Sequence, residues 1–595
     1  YALGQTQHTY GGQNCRAMSI VQLLLGNIGV PGGGLNAMRG EPNVQGATDV
    51  ACTVPDLPGY LKWPTAKKHR HLADYLHAET YADGYYSNKP KFMVSFLKEF
   101  FGENATVEND YGYEMLPKIG PRLPASAWTT MGTFHMMRDG RIKGYFAWGM
   151  NPAHSTPNAK FARNAMANLD WLVCADWFPT ETATFWKAPD MDPAKIQTEV
   201  YFLPAALIYE KIGSISNSGR WVQWRQQGVL PPGEAKSDFE IIEVLFDRIR
   251  SLYQKEGGVY PDPILKANMD YKVDGKYDLR AVCWAINGYT VQDGKLLPGY
   301  AQLQADGSTA CGMWIYSGYY NNEADKLDPM KQPTARRSKE DPSGMGLFSG
   351  WSFAWPANRR VLYNRASCDM KGRPWNPEKV FVEWKGDKWL QYDVGDFVTA
   401  NPPDNKAFFM TWEQNARLFS YAMADGPMPE HYEPFESPTK NLLNDSVQAP
   451  CALFTDNRRG TTQDYPYVCT TYSVTEQWQT GAQTRSIPWL NELISCNFIE
   501  LSEELAKEKG IKNGDTVRVW NNRGSVKVRA MVTIRMQPMQ INGKLTHVVG
   551  MPHHFSWAGS FATGDNVNDL TPNVGDPVSF IPEYKAFLVN IEKAA

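Results

Sequence analysis

The stretch "GYFAWGMNPAHS", Gly144 to Ser155, decides the fold when read with the residues after it. Tyr145 to Trp148 is short, aromatic and apolar, and the chain then turns at Gly149-Met150-Asn151-Pro152. "KFARNAMANLD" (Lys160–Asp170) has the spacing of an amphipathic helix, and "WLVCADWFPTETA" (Trp171–Ala183) is a second apolar strand entering a second polar loop. Strand, loop, helix, strand, loop is the order of a parallel α/β sheet. Ligands of such sheets lie at the carboxyl ends of the strands, where both loops stand. The first loop offers Gly149, Asn151 and Ser155; the second offers Asp176, Thr180, Glu181 and Thr182. An aspartate accepts both the ring N–H and the exocyclic amine of guanine, while hydroxyls and backbone N–H groups hold phosphates. These residues read either as nucleotide-binding loops or as ordinary turn and capping residues.

Upstream, "QNCRAMSIVQLLL" (Gln13–Leu25) is helical in period, and "LLLGNIGVPGGGLNA" closes in a glycine-rich turn. "MRGEPNVQG" (Met38–Gly46) follows, with Arg39 among small residues and the amides Asn43 and Gln45. Arg39 is there either a solvated loop side chain or a planar fork for a carboxylate or phosphate. Downstream, residues 206–450 are rich in Trp, Pro and Gly. "GSISNSGRWVQWR" (Gly213–Arg225) places Asn217, Ser218 and Arg220 in a polar turn before a strand-like run, and residues 326–360 form a long irregular stretch. Residues 451–595 read as a separate β-rich domain. "SEELAKEKGIKNGD" predicts a short helix capped by Ser502 and stopped at Gly510. "TVRVWNNRGSVKVRAMVTI" alternates on both sides of "NNRG" and predicts a hairpin of half-buried strands, compatible with a barrel carrying helical insertions.

Composition bounds these readings. The 595 residues are too many for one core, so two to four domains are expected. Lys+Arg 60 against Asp+Glu 63 gives a net charge of −3, which argues against nucleic acid as the main partner. No apolar run is long enough for a transmembrane helix. The nine cysteines contain no C-x-x-C pair, so neither a zinc site, an iron–sulfur cluster nor a disulfide framework is implied. His553-His554 is the one tempting histidine pair, but adjacent side chains diverge on a strand. The opening "YALGQTQHTYGGQN" is neither a start nor a signal peptide, which suggests that the chain begins inside a larger polypeptide.

"VPGGGLNAMRGEPNVQGATD", "WGMNP", "ADWFPTETA", "GSISNSGRW", "YPYVCTTY" and "LTPNVGD…PEYKAF" occur in the order found in the large subunit of molybdenum- or tungsten-dependent formate dehydrogenases, which the chain resembles along nearly its whole length. The R-G-x-x-N-V-Q-G-x-x-D run is the most specific element. The chain closely resembles the respiratory type with an iron–sulfur partner subunit. It implies the multi-domain molybdopterin oxidoreductase fold, an α/β class with a parallel-sheet domain and a C-terminal six-stranded double-psi-type β-barrel. The domains it implies are the tail of a dinucleotide-binding domain (1–40), an α/β domain binding one guanine dinucleotide (41–205), a mixed segment with long insertions (206–450) and the barrel (451–595).

The implied activity is oxidation of formate to carbon dioxide, reversibly, at a bis(molybdopterin guanine dinucleotide) centre holding Mo or W. Electrons would pass to iron–sulfur clusters in a partner subunit, and the expected compartment is the periplasm. Family members begin with a four-cysteine [4Fe–4S] domain and a selenocysteine or cysteine metal ligand. Neither is in this chain, which looks like the later three-fifths of such a subunit and so should supply no protein ligand to the metal. By carry-over, Arg39 is the substrate arginine, with Glu41 and Gln45 beside the cofactor. Gly149, Asn151, Pro152, Ser155, Asp176 and Thr180 would hold one guanine nucleotide. Thr470, Thr471, Tyr472, Thr475, Glu476, Gln477 and Trp478 would come from the first barrel loop, and Asn568, Asn573, Tyr584 and Lys585 would close over the pterins. Asn151 departs from relatives that have an acidic residue there. Two alternatives stay open: another enzyme of the superfamily acting on nitrate or arsenic oxyanions, or an inactive cofactor-binding fragment.

Overall fold

The computed structural model of the chain describes residues 1–30, 32–41, 43–53, 56–82, 85–120, 128–218, 221–318, 352–354, 365–378, 380, 382–392, 402–404, 415–443, 451–454 and 458–594. Arg220 and most of the irregular stretch 326–360 lie outside the described residues. The helical run near the N-terminus is α1 (Gly11–Leu24), and α2 (Val44–Asp49) follows the Arg39 loop. Next come α3 (Leu72–Glu79) and α4 (Lys89–Phe101). Pro90 falls in the first turn of α4, where its missing N–H costs no helical bond. One face of α4 buries Phe92, Met93, Phe96, Leu97 and Phe101.

The parallel sheet follows. Helix α5 (Thr130–Arg138) leads to β1 (Gly144–Trp148), then α6 (Ala159–Met166), β2 (Trp171–Asp176) and β3 (Glu199–Pro204). The strands lie in the order β1-β2-β3, all parallel, with Gly144 opposite Trp171 and Trp171 opposite Glu199. The third strand was not evident from the sequence. Phe134, Met137, Ala147, Ala162, Met166, Leu172, Cys174 and Phe185 fill the core between sheet and helices. Beyond the sheet, the expected strand-like run is β5 (Trp221–Arg225), and it pairs with β4 (Gly213–Ser216) in a hairpin extended by Ser352–Ala354. Helices α7 (Asp238–Glu256) and α8 (Leu279–Asn287) complete this region.

The C-terminal part closes into a barrel of six strands: β6 (Tyr467–Tyr472), β7 (Phe498–Leu501), β8 (Thr516–Trp520), β9 (Ser525–Val532), β10 (Val548–Pro552) and β11 (Phe587–Lys593). Their order around the ring is β6-β10-β7-β9-β8-β11. The pairs β6/β10 and β7/β9 are parallel, and the other neighbours are antiparallel. Along β9 the residues alternate, Val526, Val528 and Ala530 inward and Ser525, Lys527 and Arg529 outward, as barrel closure requires. The helix after β7 is Glu503–Lys509. Its cap is as expected: Ser502 Oγ accepts from the Leu505 N–H at 3.1 Å, and Gly510 takes φ 63°.

The expected boundary at 205 does not follow the cores. Among the described residues, 57–116 share no core with the parallel sheet. They bury against Val222 and the segment Cys283–Tyr316, where Phe92 stacks on Trp314 at 4.2 Å between ring centroids. The apolar face of α4 thus packs against residues about two hundred positions on. The segment before the barrel is likewise tied into it. Glu436, without exposure, accepts from Arg523 at 2.7 and 2.9 Å and from the Leu588 N–H at 2.8 Å. Among the described residues, no helix is long and apolar enough to cross a membrane.

Candidate functional site

Strand β1 ends where Gly149 takes φ 57°, a left-handed turn that a side chain would strain, and its N–H donates to Ala175 of the neighbouring strand at 2.9 Å. Asn151 follows, buried, with its amide divided among three residues. Its Nδ2 donates to Glu181 Oε2 at 2.7 Å and Thr480 Oγ1 at 3.1 Å; its Oδ1 accepts from the N–H and hydroxyl of Thr182 at 3.1 and 3.0 Å. The two strand-end loops are thus bonded to each other and to the barrel. Pro152 starts a single helical turn ending at Ser155, and the Ser155 carbonyl accepts from the Tyr584 hydroxyl at 2.7 Å.

Glu181 stands at the centre without exposure. Arg485, equally buried, donates Nη2 to Glu181 Oε1 at 2.5 Å and to the Thr480 carbonyl at 3.2 Å, and Nη1 to the carbonyls of Ser556 and Ala558. Burial alone would push the Glu181 carboxyl up. His154, Arg485 and Asn151 outweigh it and hold the group at about 2. His154 joins from the other side: its carbonyl accepts from Asn566 and Asn568 at 3.0 and 2.9 Å, and its Nε2 is 2.9 Å from the His553 carbonyl.

Asp176 ends β2 half-buried. Burial pushes its carboxyl up to about 6; the Trp177 N–H opposes this, and Asp238 and Glu181 add to it. Thr471 in β6 and Lys585, two residues before the neighbouring β11, lie side by side, Lys585 Nζ donating to the Thr471 carbonyl at 2.8 Å. Burial lowers that ammonium to about 8, against the pull of Glu583. Thr470 lies in β6 opposite Gly550, and Tyr472 ends the strand with its carbonyl accepting from His553. Thr475 is exposed and Glu476 half-buried on the loop beyond. Gln477 accepts from Thr484 at 2.6 Å, and the Trp478 N–H donates to the same hydroxyl at 3.0 Å. Asn573 Nδ2 lies 2.9 Å from His135 Nε2.

The histidine pair is a loop clamp. His554 Nε2 accepts from the Val474 N–H at 2.9 Å while its Nδ1 meets the Gln479 carbonyl at 2.5 Å, so one nitrogen donates and the other accepts. Burial lowers its pKa to about 4.

Among the described residues, several buried polar atoms at this junction meet no partner: Thr180 Oγ1, Thr156 Oγ1, Asn568 Oδ1, Ser556 Oγ and Trp557 Nε1. An unpaired buried donor or acceptor costs about 1–3 kcal/mol. Five of them, of both kinds, around Glu181 and His154 fit a polar ligand with N–H, hydroxyl or phosphate groups. Thr180 and Asn568 were candidates from the sequence. His154, Arg485, Ser556 and Trp557 were not, because nothing in their local pattern marks them.

Arg39 stands in a second cluster. It is exposed; its N–H donates to Ser218 Oγ at 3.1 Å and its Nη1 to Thr48 Oγ1 at 3.4 Å. Glu41, half-buried, lies in the same loop, its carbonyl accepting from Val44 at 3.4 Å. Gln45 is buried and donates to Asp49 at 2.8 Å and Tyr60 at 3.2 Å. The hydrogen bonds of this cluster run to the β4–β5 turn and to α2 rather than to the barrel loops.

The molybdopterin oxidoreductase family matches residues 1–248, and the molydopterin dinucleotide binding domain matches residues 467–588. The nitrate-inducible formate dehydrogenase major subunit of Escherichia coli (strain K12) is 43% identical over 624 residues, covering 100% of this chain and 60% of its own. Formate dehydrogenase subunit alpha of Megalodesulfovibrio gigas is 43% identical over 623 residues with the same coverage. The F420-dependent formate dehydrogenase subunit alpha of Methanocaldococcus jannaschii is 25% identical, covering 100% of this chain and 58% of its own. The chain thus spans about 60% of the length of the curated relatives it matches. The solved acetylene hydratase from Pelobacter acetylenicus covers 89% of this chain and 52% of its own, with a TM-score of 0.43 and 15% identity.

Proposed function

Because this chain belongs to the molybdopterin oxidoreductases, we propose that it is the C-terminal three-fifths of a formate dehydrogenase catalytic subunit. The observation that carries this is identity of 39–43% along the whole of this chain with 59–60% of the length of five formate dehydrogenase subunits. The reaction is HCOO⁻ to CO₂, a proton and two electrons. The bis(molybdopterin guanine dinucleotide) with Mo or W, when bound, supplies the two-electron acceptor.

The chain's own residues divide the rest. Thr180, Thr156, Asn568, Ser556 and Trp557 provide the unpaired polar atoms that would hold a guanine nucleotide, with Asp176 at the strand end. Arg39 binds the formate carboxylate. A guanidinium has five N–H donors in a fixed plane, of which Thr48 engages one. The remainder can take a carboxylate in two parallel bonds and fix the direction of its C–H bond. The positive charge is already in place as electrons leave, so no reorganisation is needed.

The same reading carries a [4Fe–4S] cluster and a selenocysteine or cysteine ligand in a portion of the polypeptide outside this chain, an iron–sulfur electron-transfer subunit, and a periplasmic location. The test is an assay of the full-length holoenzyme with a redox dye. Formate is expected to reduce the dye, with nitrate unable to reoxidise it. Dye oxidation by nitrate or arsenate without formate activity would assign the enzyme to an oxyanion branch instead. Inactivity on all three, with cofactor bound, would favour a carrier role.

A further inference from the structure

Asp49 is the last residue of α2 and has no exposure. Its carboxylate accepts three hydrogen bonds from three stretches of chain: Gln45 Nε2 at 2.8 Å, the Tyr60 hydroxyl at 2.6 Å and the Tyr316 hydroxyl at 2.6 Å. Tyr316 also lies 2.8 Å from Ser216 Oγ. The phenol proton goes to the carboxylate, which can only accept, so Ser216 is the donor to Tyr316. Ser216 ends β4, and its N–H donates to Asn43 Oδ1 at 3.0 Å.

Asn43 holds the left-handed conformation, φ 65°, just before α2. Its side chain folds back over Gly46, where a Cβ would come within 2.1 Å of Oδ1. The helix α2 and the β4–β5 turn are therefore bonded twice, through Asn43 and through the Asp49–Tyr316–Ser216 relay. Arg39 is suspended between these two elements. The turn holds its backbone through Ser218, two residues beyond Ser216; the helix holds its guanidinium through Thr48, next to Asp49.

We propose that Asp49 and Tyr316 are positioning residues for Arg39. They fix the helix against the turn, and so fix the guanidinium plane that receives the substrate. The proposal rests on the reading of the chain as formate-oxidising.

The test uses the full-length holoenzyme carrying Tyr316→Phe, which removes both relay bonds with little change in volume. KM for formate is expected to rise about tenfold, the scale of one hydrogen bond to a charged group. The fall in kcat should be smaller, and metal and pterin content should be unchanged. The inhibition constant of nitrate, a planar oxyanion with no C–H bond, should rise by the same factor. In the double variant Tyr316→Phe/Arg39→Lys, KM should be no higher than in Arg39→Lys alone, since both changes act through one group. Ser216→Ala, which breaks the relay one step further out, should move KM the same way by less, and it supplies the measurement if Tyr316→Phe does not fold. Unchanged KM in both single variants, additive effects in the double variant, or loss of cofactor in step with activity would overturn the proposal. Absence of formate oxidation by the wild type would overturn the functional reading itself, and is seen before any variant is made.

Discussion

At the scale of single residues, Asp176 and Arg39 are charged groups with opposite tasks. Burial holds the Asp176 carboxyl near 6, so in the free protein it ionises late: its ionisation opposes folding as pH rises from the ordinary carboxylate range through about 6. A guanine edge needs the ionised form, which accepts two N–H bonds. Cofactor retention should therefore weaken as pH falls below about 6 in the wild type. Asp176→Asn should retain less cofactor at pH 7–8, approach the wild type towards pH 5 and show no such slope. Pterin content after dialysis from pH 5 to 8 decides this, and equal retention in both proteins would remove Asp176 from the nucleotide site.

Arg39→Lys keeps the charge but loses the fork. Turnover should fall by about one to two orders of magnitude in kcat/KM, from roughly 1.5–3 kcal/mol of charge-assisted bonding, with cofactor content intact. Near-normal kinetics would make Arg39 a structural arginine, and loss of cofactor would make it a pterin anchor.

At the scale of elements, the loops after β1 and β2 are coupled through Glu181. The carboxylate lies at about 2, well below its ordinary value of 4.5. The stability it contributes is present above about pH 4.5 and is lost as pH falls towards 2, on the order of 3 kcal/mol. Glu181→Gln removes the charge that compensates Arg485 in a site with no exposure, and breaking such a pair costs about 3–5 kcal/mol. Denaturant unfolding should show that loss at pH 7, with the difference from wild type shrinking towards pH 3. A pH-independent difference would mean that the hydrogen bonds, not the charge, matter.

The same geometry explains Asn151. Its amide nitrogen faces Glu181 at 2.7 Å, where an aspartate would set two carboxylates together. How much of this was legible follows from range. β1, β2, the β8–β9 hairpin and the Ser502 cap were readable because apolar period, turn residues and cap lie within a few positions of each other. β3 was not. "EVYFLP" is short, follows a polar loop, and becomes a strand only by pairing with β2. Arg485 closes a polar loop like many others, and its partner lies 304 positions away. Arg39, Gln45 and Asp49 came from one contiguous motif, but the tyrosines that hold it are in other segments.

At the scale of the whole molecule, three of the apolar cores among the described residues are extensive, and a polar junction joins two of them. The helical core, the sheet core and the barrel core are each apolar clusters. Between sheet and barrel lie Glu181 with Arg485, and Arg163 bonded to both Asp190 and Asp569 at 2.9–3.2 Å. The unpaired atoms of Thr180, Asn568, Ser556 and Trp557 lie at the same junction. Apolar cores keep their driving force whether or not a ligand is bound, but a junction lined with unpaired donors and acceptors depends on what completes it. A ligand that binds only the folded form also stabilises it by mass action. Removing the cofactor should therefore lower the melting temperature and open the junction first. Hydrogen exchange of holo and apo protein separates the two levels. Amides in 149–156 and 553–573 should exchange at least about tenfold faster without cofactor, a local opening easier by about 1.4 kcal/mol. Strands β8 and β9 should keep their protection, since their bonds close on the barrel itself. Equal loss in loops and barrel strands would show that sheet and barrel open as one cooperative unit, and unchanged loops would place the cofactor elsewhere.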